Sequence, residues 1–203
     1  KFGGKVLFLA PTKPLVQQHL QSFSSKLVLP SEAFTILTGN ESPEERATRF
    51  AAAKIIFATP QSVRNDVLAG RVSLGDVSLI VFDEAHRASG DYAYVVLAKH
   101  YATYGAHQRV LALTASPGTN KEQIDLVIKN LFIEHVELRT TEDPDVKPYV
   151  QDVAIEYVMT ALPHGFLKVK KLLEQVYGAK LRELQGLGHA DRADFTKGGL
   201  LAL

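Results

Sequence analysis

The sequence predicts an α/β protein, a doubly wound and mostly parallel sheet followed by a helical segment. Short apolar runs recur through the first 140 residues, each apolar on both alternating faces, and the stretches between them open with helix-capping chemistry. A strand reads as continuously apolar when helices cover both faces of its sheet, the usual condition of a parallel sheet. Strands and helices in strict turn then impose right-handed crossovers.

Strands are expected at Val6–Ala10, Phe34–Leu37, Ile55–Ala58, Leu79–Phe82 and Val110–Leu113. Ser42-Pro43-Glu44-Glu45 is a capping box with proline at the first helical position. Thr59-Pro60 opens the next helix in the same way, and Thr119-Asn120-Lys121-Glu122 fits a second box. Across 121–131, Ile124, Val127, Ile128 and Leu131 form one apolar stripe that should be buried. The style changes after Arg139. Thr140 to Pro148 is acidic, carries two prolines and reads as a connection. Val153, Ile155, Tyr157 and Met159 alternate as a strand would, and Phe166, Val169, Leu172, Leu173, Val176, Leu181 and Leu184 outline an amphipathic helix. The domain boundary is placed near residue 162, giving domains 1–162 and 163–203.

Composition removes several function classes. The 203 residues carry 23 Lys+Arg against 22 Asp+Glu, and 46% are hydrophobic, so the chain can build a core. It has no cysteine, which excludes a disulfide scaffold, Cys-ligated zinc, an iron–sulfur cluster and a thiol nucleophile. No apolar run is long enough to span a bilayer, so no membrane partner is expected. Near-zero net charge argues against bulk electrostatic coating of nucleic acid, because that affinity comes from Lys and Arg neutralising phosphates. Any nucleic-acid contact must come from local groups. The tail from Pro163 holds seven Lys/Arg and four Asp/Glu, a surplus of +3 against −2 for the rest.

In open α/β sheets ligands bind beyond the carboxyl ends of the strands, so the residues after each strand matter most. The fourth strand ends in Asp83-Glu84-Ala85-His86. Such an acidic pair can hold a hydrated Mg²⁺ through Asp83 while Glu84 orients a water for attack on a γ-phosphate. It can equally cap the helix that follows. The other strands lead into Ala10-Pro11-Thr12-Lys13, Thr38-Gly39-Asn40, Thr59-Pro60-Gln61 and Thr114-Ala115-Ser116. Taken singly, Thr12 or Thr59 reads as a helix cap rather than a ligand. Four such tips in series along one sheet edge read as devices that donate to phosphate oxygens.

The ordered set APTKPLVQQH (10–19), TG (38–39), ATPQ (58–61), DEAH (83–86) and TAS (114–116) resembles the first RecA-like domain of a superfamily-2 DEAH-box helicase, a P-loop NTPase fold. VLFLAPTKPLV, FDEAHRA, LTASPG and RTTEDPDVKPYV further resemble the archaeal Hef helicases and their eukaryotic relatives of the Fanconi anaemia group M type. The resemblance implies an ATP- and Mg²⁺-dependent helicase or translocase acting on forked or branched DNA in repair and replication restart. Asp83 would hold Mg²⁺, Glu84 would polarise the attacking water, and His86 would sit near the γ-phosphate. Thr114 and Ser116 would couple hydrolysis to DNA movement. Pro11, Thr12, Lys13, Thr38, Gly39, Thr59 and Gln61 would line a track for the phosphates of one strand, with Arg64 a further contact or a solvated helix residue. The tail would begin the helical insertion domain. There Lys168, Lys170, Lys171, Lys180 and Arg182 are either solvated or contacts to a duplex arm.

The family's Walker A loop, G-x-x-x-x-G-K-[ST], is missing; the nearest frame, Gly70 to Gly75, continues into Asp76 and Val77. A second RecA-like domain and a nuclease domain are also missing. The expectation is therefore an incomplete sheet in a fragment that does not hydrolyse ATP by itself. With the Walker A strand expected in mid-sheet, two buried edges would face a gap, to be relieved by collapse, an added segment or self-association. Two other readings remain: a double-stranded-RNA branch of the RIG-I-like or Dicer type, and a non-catalytic nucleic-acid-binding module. Localisation would follow the source, cytoplasmic or nucleoid in a prokaryote or archaeon and nuclear in a eukaryote.

Overall fold

The computed structural model describes residues 3–116, 118, 120–149 and 156–186. The chain falls into two compact units, Lys1–Arg139 and Thr140–Leu203. The boundary expected near 162 therefore lies inside the second unit, and the division falls where the sequence changes style after Arg139.

The first unit alternates strand and helix: β1 Lys5–Leu9, α1 Lys13–Ser24, β2 Phe34–Leu37, α2 Pro43–Ala52, β3 Ile55–Ala58, α3 Pro60–Leu68, β4 Val77–Asp83, α4 Ala93–Tyr104, β5 Val110–Leu113 and α5 Lys121–Leu131. All neighbouring strands are parallel, in the order β2-β3-β1-β4-β5. The chain runs from central β1 to the edge strand β2, returns to β3 between them, then crosses to the other side for β4 and β5. β1 and β4 thus flank the topological switch point, where open sheets of this kind place their ligands. Gly4 permits the close start of β1 beside β4, since a Cβ there would lie 2.7 Å from the Asp76 carbonyl oxygen.

The sheet is continuous. Leu7 of β1 pairs with Ile56 of β3 on one side and Ile80 of β4 on the other, and Phe82 pairs with Ala112 of β5. This corrects the expectation of a mid-sheet gap: Asp83 ends β4, Thr114 directly follows β5, and the two strands are hydrogen-bonded neighbours with no space between them for another. The open edges are β2 and β5. At the β5 edge Leu111 and Leu113 are 45% and 40% exposed, unlike the buried leucines of β1.

Alternation along the strands divides the core. Leu7, Leu9, Ile56, Ala58, Ile80 and Phe82 face one side and pack with Val63 and Val67 of α3 and Tyr94, Leu97 and Tyr101 of α4. Phe8, Phe57 and Val81 face the other side, with Val16 of α1. The Phe23 ring of α1 closes on Phe8 and Phe57 at centroid distances of 5.6 and 5.9 Å.

The caps differ from one helix to the next. Ser42 accepts from the Glu45 N–H at 3.2 Å with Pro43 in the first turn, as the capping box predicts. Asn120, not Thr119, is the N-cap of α5 and accepts from the Glu122 N–H at 2.9 Å; Thr119 lies outside the described residues. Of the α5 stripe only Leu131 is fully buried; Ile124, Val127 and Ile128 are half-buried. They face a cleft of about 380 Å³ shared with Ala112 of β5 and residues 136–139, which leaves that side of the helix partly open.

In the second unit, α6 spans His164–Gly186, as its apolar spacing predicts, but none of its residues is buried. The strand expected over 153–159 is not found among its described residues: Tyr157 and Met159 are non-helical, unpaired and exposed. Val153 and Ile155 lie outside the described residues. Without a partner strand, alternation alone does not hold a ladder. Among the described residues, no helix is long and apolar enough to cross a membrane.

Candidate nucleotide and nucleic-acid site

Because all five strands run the same way, the five tips after them share one rim, in the order Thr38, Thr59, Thr12, Asp83 and Thr114. The hydroxyl-bearing tips of β2, β3 and β1 occupy one half and the acidic tip and its neighbour the other. Thr12 follows β1 and Asp83 ends β4, the neighbouring strands that flank the switch point.

Asp83 ends β4 and is half-buried. Its Oδ2 lies 2.8 Å from Nε2 of His19, two turns into α1, whose ring packs on Phe8 at 4.4 Å. The other carboxylate oxygen, Oδ1, takes no hydrogen bond from any described residue. The Tyr94 hydroxyl is positioned between two carbonyl oxygens, those of Leu9 at 3.1 Å and Asp83 at 2.6 Å, and so ties the ends of β1 and β4 together. Burial, followed by the nearby negative charges, pushes this phenol well above its ordinary value, so it remains a neutral hydroxyl.

Glu84 adopts a left-handed backbone, φ 52° and ψ 48°, before the short 3₁₀ turn Ala85–Arg87. The turn places His86 Nδ1 3.3 Å from Glu84 Oε2 and 3.0 Å from Thr114 Oγ1. Thr114 Oγ1 also accepts from the Ser116 N–H at 3.2 Å. The acidic tip and the β5 tip are thus physically linked. No group of three or more His, Cys, Asp or Glu residues forms a metal cage among the described residues. One carboxylate with a free hard oxygen nevertheless suits Mg²⁺, which keeps several waters and takes further ligands from substrate phosphates.

On the other half of the rim, Thr12 is the exposed N-cap of α1, and its side chain bonds no backbone group of the helix. Lys13 beside it is exposed, and Pro11 is half-buried. Thr59, the N-cap of α3, turns its hydroxyl to Ser62 Oγ at 2.9 Å, while its N–H donates to the Leu37 carbonyl at 3.0 Å. Gln61 is exposed, and half-buried Arg64 reaches only the Asn65 side chain. Gly39 is exposed, but Thr38 is 2% exposed and both its donors go to Glu41 Oε2, the N–H at 2.8 Å and the hydroxyl at 2.9 Å.

Beneath these tips sits a buried ion pair that the motifs do not reveal. Arg46 of α2 donates to Asp66 of α3 through Nε at 2.6 Å and Nη2 at 2.9 Å, and through Nη1 to the Glu41 carbonyl at 2.6 Å. Arg71 adds a third bond to Asp66 at 3.1 Å. The pair fixes the loop bearing Thr38 to the helix that starts at Thr59. His19, Tyr94, Glu41, Arg46 and Asp66 were not singled out by sequence reasoning. His19 alone gave a signal, standing seven residues after Thr12 inside the first motif and so on the same face of α1. The tail residues Lys168, Lys171 and Arg182 are exposed on α6 and form no ion pair with a described residue, whereas Lys170 pairs with Glu174 and Lys180 with Glu183.

Residues 1–124 match the family described as DEAD/DEAH box helicase. The solved helicase domain of Hef from Pyrococcus furiosus is 50% identical with a TM-score of 0.72, over 99% of this chain and 43% of that one. The Fanconi anemia group M protein homolog of Mus musculus is 35% identical over 86% of this chain and 9% of its own length. An ATP-dependent DNA helicase, mph1, of Neurospora crassa is 39% identical over 84% of this chain and 15% of its own. A Methanocaldococcus jannaschii protein with the provisional name of an ATP-dependent RNA helicase is 39% identical over 100% of this chain and 26% of its own. The chain therefore spans about a quarter or less of these relatives and under half of the solved domain. With its RecA-like sheet and its five ordered tips, the chain belongs to the DEAD/DEAH box helicase family, where its relatives include the Hef, Fanconi anemia group M and Mph1 helicases.

Proposed function

We propose that this chain is part of the first motor domain of an ATP-driven DNA helicase or translocase that works on forked or branched DNA in repair and replication restart. One observation carries the reading: the acidic tip at Asp83 and Glu84 and the hydroxyl tips at Thr12, Thr38 and Thr59 follow parallel strands on one rim, on either side of the switch point between β1 and β4. Asp83 would hold a nucleotide-bound Mg²⁺ through its free oxygen while His19 fixes the other. The ion would screen phosphate charge. Glu84 would accept a proton from, or orient, the attacking water, and His86 would pass the state of that site to Thr114 and Ser116. Pro11, Thr12, Lys13, Thr38, Gly39, Thr59, Gln61 and Arg64 would follow one strand's phosphates, which binds without reading sequence. Lys168, Lys171 and Arg182 would meet a duplex arm in the helical insertion.

The phosphate cradle that this sequence lacks would arrive on a strand added at the open edge of β5. That edge borders the Thr114 tip, carries exposed Leu111 and Leu113, and opens on a cavity of about 570 Å³ lined by Arg109, Val110, Ile133 and His135. The present chain should then bind DNA but not turn over ATP. Fluorescence anisotropy with a labelled fork, competed by unlabelled fork or RNA duplex, tests the reading. Preferential competition by fork DNA is expected. Preferential competition by RNA duplex would support the RNA reading, which the name of the M. jannaschii relative favours. ATP turnover by this chain alone would overturn the assignment of the missing cradle.

A further inference from the structure

Thr38 has the two donors that a phosphate oxygen would need, and both are already taken. Its N–H and hydroxyl converge on a single oxygen of Glu41, at 2.8 and 2.9 Å. The Asn40 N–H donates to the same hydroxyl oxygen at 3.3 Å, which leaves the hydroxyl proton directed to Glu41. A carboxylate oxygen held by two converging donors has the charge and the contact geometry of a non-bridging phosphate oxygen.

The surroundings make this acceptor exchangeable without moving the loop. Arg46 grips the backbone of Glu41 through its carbonyl at 2.6 Å, and Arg46 is itself anchored to buried Asp66. The Glu41 side chain is only half-buried, so its carboxylate can rotate to water while its backbone remains in place. Burial disfavours the charged form, but the two Thr38 bonds and the nearby Arg49 outweigh it and hold the carboxyl below its ordinary value, so the group is an anion near neutral pH.

We infer that Glu41 is a built-in stand-in for a nucleic-acid phosphate: it occupies the donors of Thr38 in the free protein and must swing away before the β2 tip can engage a strand. The inference rests on the reading of the rim as a phosphate track. It makes Glu41 a negative determinant of affinity, which neither the motif nor the fold alone indicates. Thr38 stays satisfied in both states, so no buried donor is left bare during the exchange.

The test is anisotropy binding of labelled fork DNA at low salt, with melting curves for every variant. Glu41→Ala should tighten binding by about three- to tenfold, because a charge-assisted pair no longer competes. Adding Thr38→Val to Glu41→Ala should remove the gain, whereas a simple loss of negative charge would survive it. Glu44→Ala, which removes an exposed charge three residues away, should give less than half the effect. If Glu41→Ala does not fold, Glu41→Gln, with a neutral and weaker acceptor, should tighten binding by a smaller factor. Unchanged or weaker binding by the folded Glu41 variants, or a gain that persists without the Thr38 hydroxyl, overturns the inference. Failure of the unaltered chain to bind DNA at all overturns instead the reading of the rim.

Discussion

Replacing Asp66 with alanine strips the buried Arg46 guanidinium of its counter-ion. Asp66 is 1% exposed and Arg46 7%, and they share two short bonds at 2.6 and 2.9 Å. Removing one partner of such a pair costs about 3–5 kcal/mol, mainly because the other charge stays buried alone. Arg46 keeps the carbonyl oxygens of Glu41 and Thr38 as acceptors, which puts the expected cost of Asp66→Ala at the low end, about 3 kcal/mol. Against a total stability of about 5–15 kcal/mol, that is a large fraction and should be plain in urea unfolding followed by tyrosine fluorescence. Arg71→Ala is the internal control. Its side chain is 36% exposed and reaches water, so it should cost at most about 1 kcal/mol. Burial raises the pKa of Asp66, but hydrogen bonds and charge from Arg46 and Arg71 outweigh this and hold it below its ordinary value. Its stabilising contribution is therefore complete above the unfolded-state value and is lost as pH falls through the lower folded-state value. Asp66→Ala should flatten that acid limb. A cost below about 1 kcal/mol, or one equal to that of Arg71→Ala, would refute the claim that a desolvated pair joins α2 to α3.

Three other outcomes follow from the geometry. Tyr94→Phe leaves the carbonyls of Leu9 and Asp83 without their shared donor and should cost about 1–2 kcal/mol in urea unfolding. Burial pushes the His100 imidazole below its ordinary value, and its Nδ1 has no partner among the described residues. The unfolded chain thus takes up this proton first, so the melting temperature should fall as pH drops below about 6.5, and His100→Phe should remove that component. Lys13→Ala should lower the slope of log affinity for fork DNA against log salt by about one, with no change in sequence preference.

The strands were readable because both faces of each are covered, so apolar residues run without interruption through Leu7-Phe8-Leu9 or Ile56-Phe57. The tips were readable because small hydroxyl residues follow those runs directly. Strand order was not: nothing in β1 marks it as the centre, and nothing in β4 or β5 marks them as direct neighbours. Arg46 and Asp66 look like ordinary solvated helix residues in sequence. Twenty positions separate them, and only the tertiary fold brings the two helices' side chains together. His19 and Asp83 are 64 positions apart and meet because β1 and β4 are neighbours. Alternation suggested a strand that the described residues 156–159 do not form, because pattern reports which side chains could share a face, not whether they pair.

Glu84 is one of two non-glycine residues with positive φ among the described residues. Holding a residue with a Cβ in that basin costs about 1 kcal/mol, a cost that glycine does not bear. An evolutionary or engineered drift toward greater thermal robustness would therefore favour Glu84→Gly, and the hardier protein would have discarded the carboxylate that we propose orients the water. Screens that select for heat resistance alone should accumulate such losses at this position, so a stabilised helicase of this type needs a turnover filter alongside the melting assay.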